Sequence, residues 1–148
     1  MFVRALLCLV VLTGAAVAAK RDWTGSAACG GCHPKELASW QATRHAATRD
    51  RFATRPEGRC LGCHATGEAP AGPAIAVEVG CEACHGAGAA YAEDDLMRDA
   101  PLARSLSLVD SSTPKARTAV CMQCHSRPTR GRTLDLTRPV HPQTTKTP

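Results

Sequence analysis

The pentapeptide Cys81-Glu82-Ala83-Cys84-His85 carries two cysteines separated by two residues, and a histidine directly after the second cysteine. The same pattern occurs three more times in the 148-residue chain, at residues 29–33, 60–64 and 121–125. In this pattern the two thiols add to the two vinyl groups of a haem, and the adjacent histidine reaches the iron as its proximal ligand. The sequence therefore predicts four covalently attached c-type haems, one for each motif.

Each motif contributes two attachment residues and one iron ligand. The predicted attachment residues are Cys29, Cys32, Cys60, Cys63, Cys81, Cys84, Cys121 and Cys124. The predicted proximal ligands are His33, His64, His85 and His125. Zinc sites, redox disulfides and iron–sulfur clusters also use cysteines at this spacing. The fourfold repetition with a fixed histidine favours haem, because zinc does not require that histidine and a redox disulfide usually occurs once.

The first 19 residues predict a cleavable signal peptide. Arg4 gives a basic start, an apolar run follows, and small residues precede the expected cleavage site near residue 18 or 19. The apolar run is too short for a confident membrane span. Cys8 is a weak candidate for a lipid anchor, since the bulky Leu7 before it does not suit that processing. We expect an exported, periplasmic protein without a transmembrane span.

Composition predicts one domain over residues 20–127, followed by an extended tail over residues 128–148 that is rich in Pro, Thr and Arg. The chain has ten Pro and twelve Gly, which favour short helices and long irregular loops. It has only two Phe, two Trp and one Tyr with which to fill an interior. We therefore expect a small, mainly α multihaem cytochrome c domain with little or no sheet, packed around four haems.

Four local elements are predicted outside the motifs. A helix is expected over Pro34–Ala47, where proline suits the first helical position. A short β-prone run, Ile75–Val79, leads into the third motif. A helix is expected near Ala89–Met97, followed by an irregular stretch. Thr113-Pro114 predicts the start of a helix that runs into the fourth motif.

The second axial ligand of each iron decides whether that haem carries electrons or binds other molecules. Outside the motifs only His45 and His141 remain, so at most two haems can have two histidine ligands. Met97 is the one plausible thioether ligand, because Met122 lies inside its own motif. If residues 34–47 are helical, His45 lies about 18 Å along the axis from His33 and cannot share its iron. His141 would need an ordered tail.

The charge of the chain does not indicate a nucleic-acid partner. The formal net charge is +5, but four haems would bring eight propionates. Each ferric porphyrin offsets only one of these, so the oxidised protein would be near neutral. We expect redox proteins as partners and arginine–propionate pairs on the surface.

The chain resembles multihaem c-type cytochromes similar to the tetrahaem electron carriers that accept electrons from hydroxylamine oxidoreductase. The resemblance rests on four segments: Gly25–Cys29, Ser39-Trp40 with His45-Ala46, Cys60–Gly67, and Val79–Gly86. It implies that His45 is the distal ligand of a later haem and that the haems form closely stacked pairs. It also implies that one haem is five-coordinate, and the second motif is a candidate for that open iron.

The chain departs from this family after the third motif, where relatives usually place a histidine that caps a partner haem. Tyr91 and Met97 occupy that segment here, and Ala87 stands where the family has proline. Tyrosine can ligate haem iron, but its ring and hydroxyl more often pack and form one hydrogen bond. We therefore expect Tyr91 to pack, and we keep Met97 as a candidate ligand.

Two function classes follow from these residues. The first is electron transfer between periplasmic redox enzymes; the second is a haem enzyme or gas-binding protein acting on a small nitrogen oxide at an open iron. Few groups near the motifs could act in catalysis besides Glu82, Tyr91 and the acidic run Glu93–Asp95, which reads as a solvated helix face. The sequence favours the electron carrier and assigns no catalytic residue.

Overall fold

The computed structural model describes residues 22–52, 58–67, 74–126 and 135–142. Within these residues the fold is mainly α, with short helices joined by turns, which confirms the predicted class. The α-helices are α1 (Ser26–Gly30), α2 (Pro34–Gln41), α3 (Leu61–His64), α4 (Cys81–His85), α5 (Asp94–Arg98), α6 (Ala100–Ser105) and α7 (Pro114–His125). Two 3₁₀ helices cover Ala46–Arg51 and Gly58–Cys60. The predicted signal peptide lies outside the described residues, as does most of the predicted tail.

One small antiparallel sheet joins β1 (Thr66–Gly67) to β2 (Ala74–Ala76). The strand therefore ends earlier than the predicted run Ile75–Val79. Thr66 explains this, because its hydroxyl donates to the carbonyl of Glu78 at 2.8 Å and accepts from the backbone amide of Gly80 at 2.9 Å. These side-chain bonds replace further strand pairing and lead the chain directly into α4.

The prediction of one helix over residues 34–47 is wrong at its end, since α2 stops at Gln41. Thr43 interrupts the helical hydrogen bonding: its hydroxyl donates to the Trp40 carbonyl at 2.7 Å and accepts from the amide of His45 at 3.2 Å. Threonine competes well for backbone groups in this way. His45 therefore lies in the turn after α2 rather than on the helix.

The segment between the third and fourth motifs is more helical than predicted. The helix expected near residues 89–97 begins only at Asp94, and α6 follows where an irregular stretch was expected. Asp99 caps α6 by accepting from the Leu102 amide at 3.0 Å, and Pro101 occupies its first turn. The predicted helix into the fourth motif is confirmed as α7, capped by Thr113.

The described residues form a very small apolar core. The buried apolar side chains are Trp40, Ala87, Tyr91 and Ala103, and no large side chain of the described part is fully buried. A domain of this size normally buries a contiguous set of Leu, Ile, Val and Phe side chains. The protein atoms alone therefore supply little of the interior.

No helix in the described part of the chain is both long and apolar enough to cross a membrane.

Candidate functional site

The four motifs lie at helix ends or in single helical turns. The first runs from the end of α1 to the residue before α2, the second runs from the end of a 3₁₀ helix through α3, the third is α4, and the fourth ends α7. In a helical turn, residues three apart lie on one face, so the two cysteines of a motif point the same way. All eight motif cysteines are free of disulfide bonds.

The tertiary structure brings the motifs together in two pairs. A hydrogen bond from Cys29 is the main cause that lowers the pKa of Cys81 to about 6, so the first and third motifs are in contact. Burial raises the pKa of Cys124 to about 12, and a hydrogen bond with Cys63 adds to that rise, so the second and fourth motifs are also in contact. Haem attachment would turn these thiols into thioethers, which do not titrate. The pKa shifts matter here only because they show which cysteines are in contact.

The imidazole of His85 is oriented by the backbone of Val109. Its Nδ1 lies 3.0 Å from the Val109 carbonyl, which can only accept, and the Val109 amide donates to the His85 carbonyl at 2.9 Å. Nδ1 therefore carries the proton, and Nε2 is left with the lone pair that a metal needs. Gly86 permits this approach, because it has φ +84° and a Cβ there would lie 2.6 Å from the Ser107 carbonyl.

His141 lies beside His85, with 6.0 Å between the two ring centroids and 42° between the ring planes. Its Nδ1 is 2.7 Å from the carbonyl of Pro142, so its Nε2 is likewise free. Arg117 of α7 holds the preceding segment by donating to the carbonyl of Thr137. The part of the tail over residues 135–142 is therefore placed against the third motif.

His45 and His125 form the second such pair, with 6.1 Å between ring centroids and 60° between ring planes. The backbone of His45 is held by the amide of Val79 at 3.1 Å and by the hydroxyl of the buried Thr48 at 2.6 Å. Burial, followed by the charge of His125, lowers the pKa of His45, which keeps the imidazole in the neutral form that binds metals.

The spacing of both histidine pairs fits a haem iron. An imidazole nitrogen binds a first-row metal at about 2.0–2.1 Å, so two imidazoles on opposite sides of one metal have centroids about 6 Å apart. The described residues contain no cluster of three or more His, Cys, Asp or Glu that could hold a metal ion. An iron that is held by a porphyrin accepts two further ligands, which is the number of histidines in each pair.

The other two motif histidines have no histidine in ring contact among the described residues. His64 instead meets Phe52 edge-on, with ring centroids 5.2 Å apart. Met97 lies half-buried in α5, next to Arg98. Arg98 is exposed, and its hydrogen bond with Asp94 raises its pKa.

Tyr91 is buried and serves as a packing and hydrogen-bonding residue, as the sequence predicts. Its hydroxyl lies 3.0 Å from the carbonyl of His85 and 2.8 Å from the carbonyl of Gly86, so it ties the turn after α4 together. Burial, with the charge of Glu82 second, raises its pKa and disfavours the phenolate form that ligates iron. Tyr91 therefore supports the third motif from outside the metal position.

We expect Tyr91→Phe to leave the haem spectrum unchanged and to destabilise the protein by about 1–2 kcal/mol, the usual cost of losing a buried hydroxyl's hydrogen bonds. Thermal denaturation followed in the Soret band would measure this. Ser105→Ala, which removes an exposed hydroxyl from α6, is the control. A changed ligand-field spectrum in Tyr91→Phe would contradict the assignment.

The acidic residues near the motifs separate into two kinds. Glu93, Asp94 and Asp95 are exposed, and Asp94 forms an exposed ion pair with Arg98 at 2.9 Å, which agrees with a solvated helix face. Glu82 is buried and binds backbone groups of the segment before α1. The sequence draws attention to Glu82 but does not predict this burial, because nothing local marks it.

The family described as cytochrome c554 and c-prime matches residues 28–86 of the chain. This range includes the first three motifs, His45, Trp40 and Glu82. The match supports a c-type cytochrome, an electron carrier with covalently bound haem iron. No curated protein and no solved structure matches the chain.

Proposed function

We propose that the chain is a periplasmic tetrahaem c-type cytochrome that passes electrons between redox proteins through paired haems. The observation that carries this proposal is the facing of His45 with His125 and of His85 with His141 at about 6 Å, the span of two imidazoles on one iron. A haem capped on both sides cannot bind a substrate at its metal and is suited to electron transfer. By the resemblance noted above, hydroxylamine oxidoreductase is the candidate donor.

The residues of each motif would hold one haem, and its iron would supply the one-electron ferric–ferrous couple. The cysteines would fix the porphyrin edge, and the imidazoles of His33, His64, His85 and His125 would bind the iron. His45 would complete the centre of the fourth motif and His141 that of the third. The backbone bond from His85 Nδ1 to Val109 keeps that ring from rotating, so little rearrangement accompanies a change of charge.

The contacts between motifs support electron exchange within two pairs of haems. The Cys29–Cys81 contact joins the first and third motifs, and the Cys63–Cys124 contact joins the second and fourth. Thioether sulfurs in contact bring the attached porphyrin edges close together. Electrons would therefore move readily within each pair.

The first and second haems differ from the others in their distal sides. Met97, the one candidate thioether, would ligate one of these two haems and raise its potential. At the second motif the described neighbour is Phe52, which cannot ligate iron. This residue favours the alternative function, a haem centre that binds or converts a small nitrogen oxide, at the second motif alone.

Two measurements on the purified protein test the proposal. A pyridine haemochrome assay should give four haems per chain. Carbon monoxide added to the reduced protein should shift the absorption bands of at most two haems, those of the first and second motifs, because the other two irons are capped. Fewer than four haems per chain would contradict the tetrahaem assignment. Carbon monoxide binding at three or more haems would contradict the histidine pairs.

A further inference from the structure

Glu82 is a buried carboxylate inside the third motif, with 3% of its surface exposed. Its Oε1 accepts from the amide of Thr24 at 2.9 Å, from the Thr24 hydroxyl at 3.2 Å and from the amide of Gly88 at 2.7 Å. Its Oε2 accepts from the amide of Gly25 at 2.8 Å. All four partners donate, which is the set that suits a carboxylate, since a carboxylate can accept at every lone pair.

No cation neutralises this charge within the described part of the chain. Two exposed ion pairs join described residues to each other, Arg98–Asp94 and Arg104–Asp110, and neither involves Glu82. The partners of Glu82 are three amides and a hydroxyl, which stabilise a negative charge by their dipoles but leave its net field in place. Because the group is buried, that field is screened much less than the field of a surface carboxylate.

The position of Glu82 ties it to the first and third motifs. It lies between the two cysteines of the third motif, and it binds Thr24 and Gly25, which lead directly into the helix of the first motif. The pKa of the Cys29 thiol is raised mainly by its hydrogen bond with Cys81 and by burial, and the charge of Glu82 adds to that rise. The side-chain hydrogen bonds of Glu82 are made to Thr24, Gly25 and Gly88, which lie outside the second and fourth motifs.

We infer that Glu82 is a potential-setting residue, which lowers the reduction potentials of the haems on the first and third motifs below the values that they would have without its charge. This inference rests on the proposed tetrahaem function. A ferric haem carries one more positive charge than a ferrous haem, so a nearby anion without a counter-ion stabilises the ferric state. One electron enters the iron on reduction and no bond is made or broken. The fixed charge of Glu82 thus biases the direction in which electrons run between the pairs.

The test is a spectroelectrochemical titration of the holoprotein and three variants, with haems per chain counted first. Glu82→Gln removes the charge but keeps the Oε1 acceptor, and Glu82→Asp keeps the charge but displaces it. Glu93→Gln makes the same chemical change at an exposed residue whose side chain caps nothing. In Glu82→Gln we expect two of the four haems to become easier to reduce by at least about tenfold in equilibrium constant, which is 59 mV for one electron. Glu82→Asp and Glu93→Gln should stay near the wild type.

The outcomes separate charge from structure. If Glu82→Gln and Glu82→Asp shift the potentials alike, Glu82 acts through packing and the inference is overturned. No shift in a Glu82→Gln protein that retains four haems also overturns it, while leaving the proposed function intact. A wild-type protein with fewer than four haems contradicts the proposed function itself. If Glu82→Gln does not accumulate, Glu82→Asp decides: a folded variant in which two haems become easier to reduce by about tenfold or more overturns the inference, and one that keeps the wild-type potentials supports it.

Discussion

The His45→Ala variant is expected to bind one more carbon monoxide per chain than the wild type and to show a new high-spin ferric signal. The ring of His45 faces that of His125 at 6.1 Å, and its backbone is fixed by Val79 and Thr48. Alanine removes the imidazole and leaves that iron with one axial ligand. Optical and electron paramagnetic resonance spectra of the ferric protein, with carbon monoxide titration of the reduced protein, measure the change.

Neighbouring and paired variants make this result specific. Arg44→Ala, at the exposed residue before His45, should leave all spectra unchanged. His141→Ala should open a different iron, so the double variant should bind two more carbon monoxide molecules than the wild type. His45→Met should restore six ligands with a higher potential, because a thioether favours the ferrous state. Unchanged carbon monoxide binding in His45→Ala would show that another group caps the haem of His125.

Preventing haem attachment is expected to abolish the fold. The four apolar side chains that are buried among the described residues stabilise the chain by at most about 1.5–3 kcal/mol each. Ordering the backbone costs about 1–2 kcal/mol for every residue. Without haem surface to bury, the described helices, most of them shorter than nine residues, are too short to persist alone. A chain with all eight motif cysteines changed to alanine should show neither helical circular dichroism nor a cooperative thermal transition.

A single-motif variant provides the graded control for that experiment. Cys121→Ala with Cys124→Ala should lose one haem, keep three and remain folded with a lower melting temperature. A cooperative transition in the haem-free chain, by contrast, would show that the protein core suffices and that the haems are accessory. The haem count of each variant must be measured beside its melting curve.

Local signals predicted the elements that depend on local chemistry. Thr113-Pro114 predicted the start of α7, and the scarcity of large apolar residues agrees with the small core. The helix over residues 34–47 was predicted too long, because helix propensity does not register the competition of the Thr43 hydroxyl for backbone groups. The missed α6 did carry a signal, Asp99 followed by Pro101, which is a standard helix start.

The proposed haem attachment residues and proximal ligands follow from the sequence alone, because thioether formation and proximal ligation depend on spacing within five residues. The sequence could also limit the distal candidates to His45, His141 and Met97, by counting. It could not say which motif each candidate faces, because that depends on contacts between segments far apart in the chain. Only the tertiary structure sets His45 against His125, sets His141 against His85, and buries Glu82 beside the first motif, since long-range packing selects one arrangement among many that the local chemistry permits.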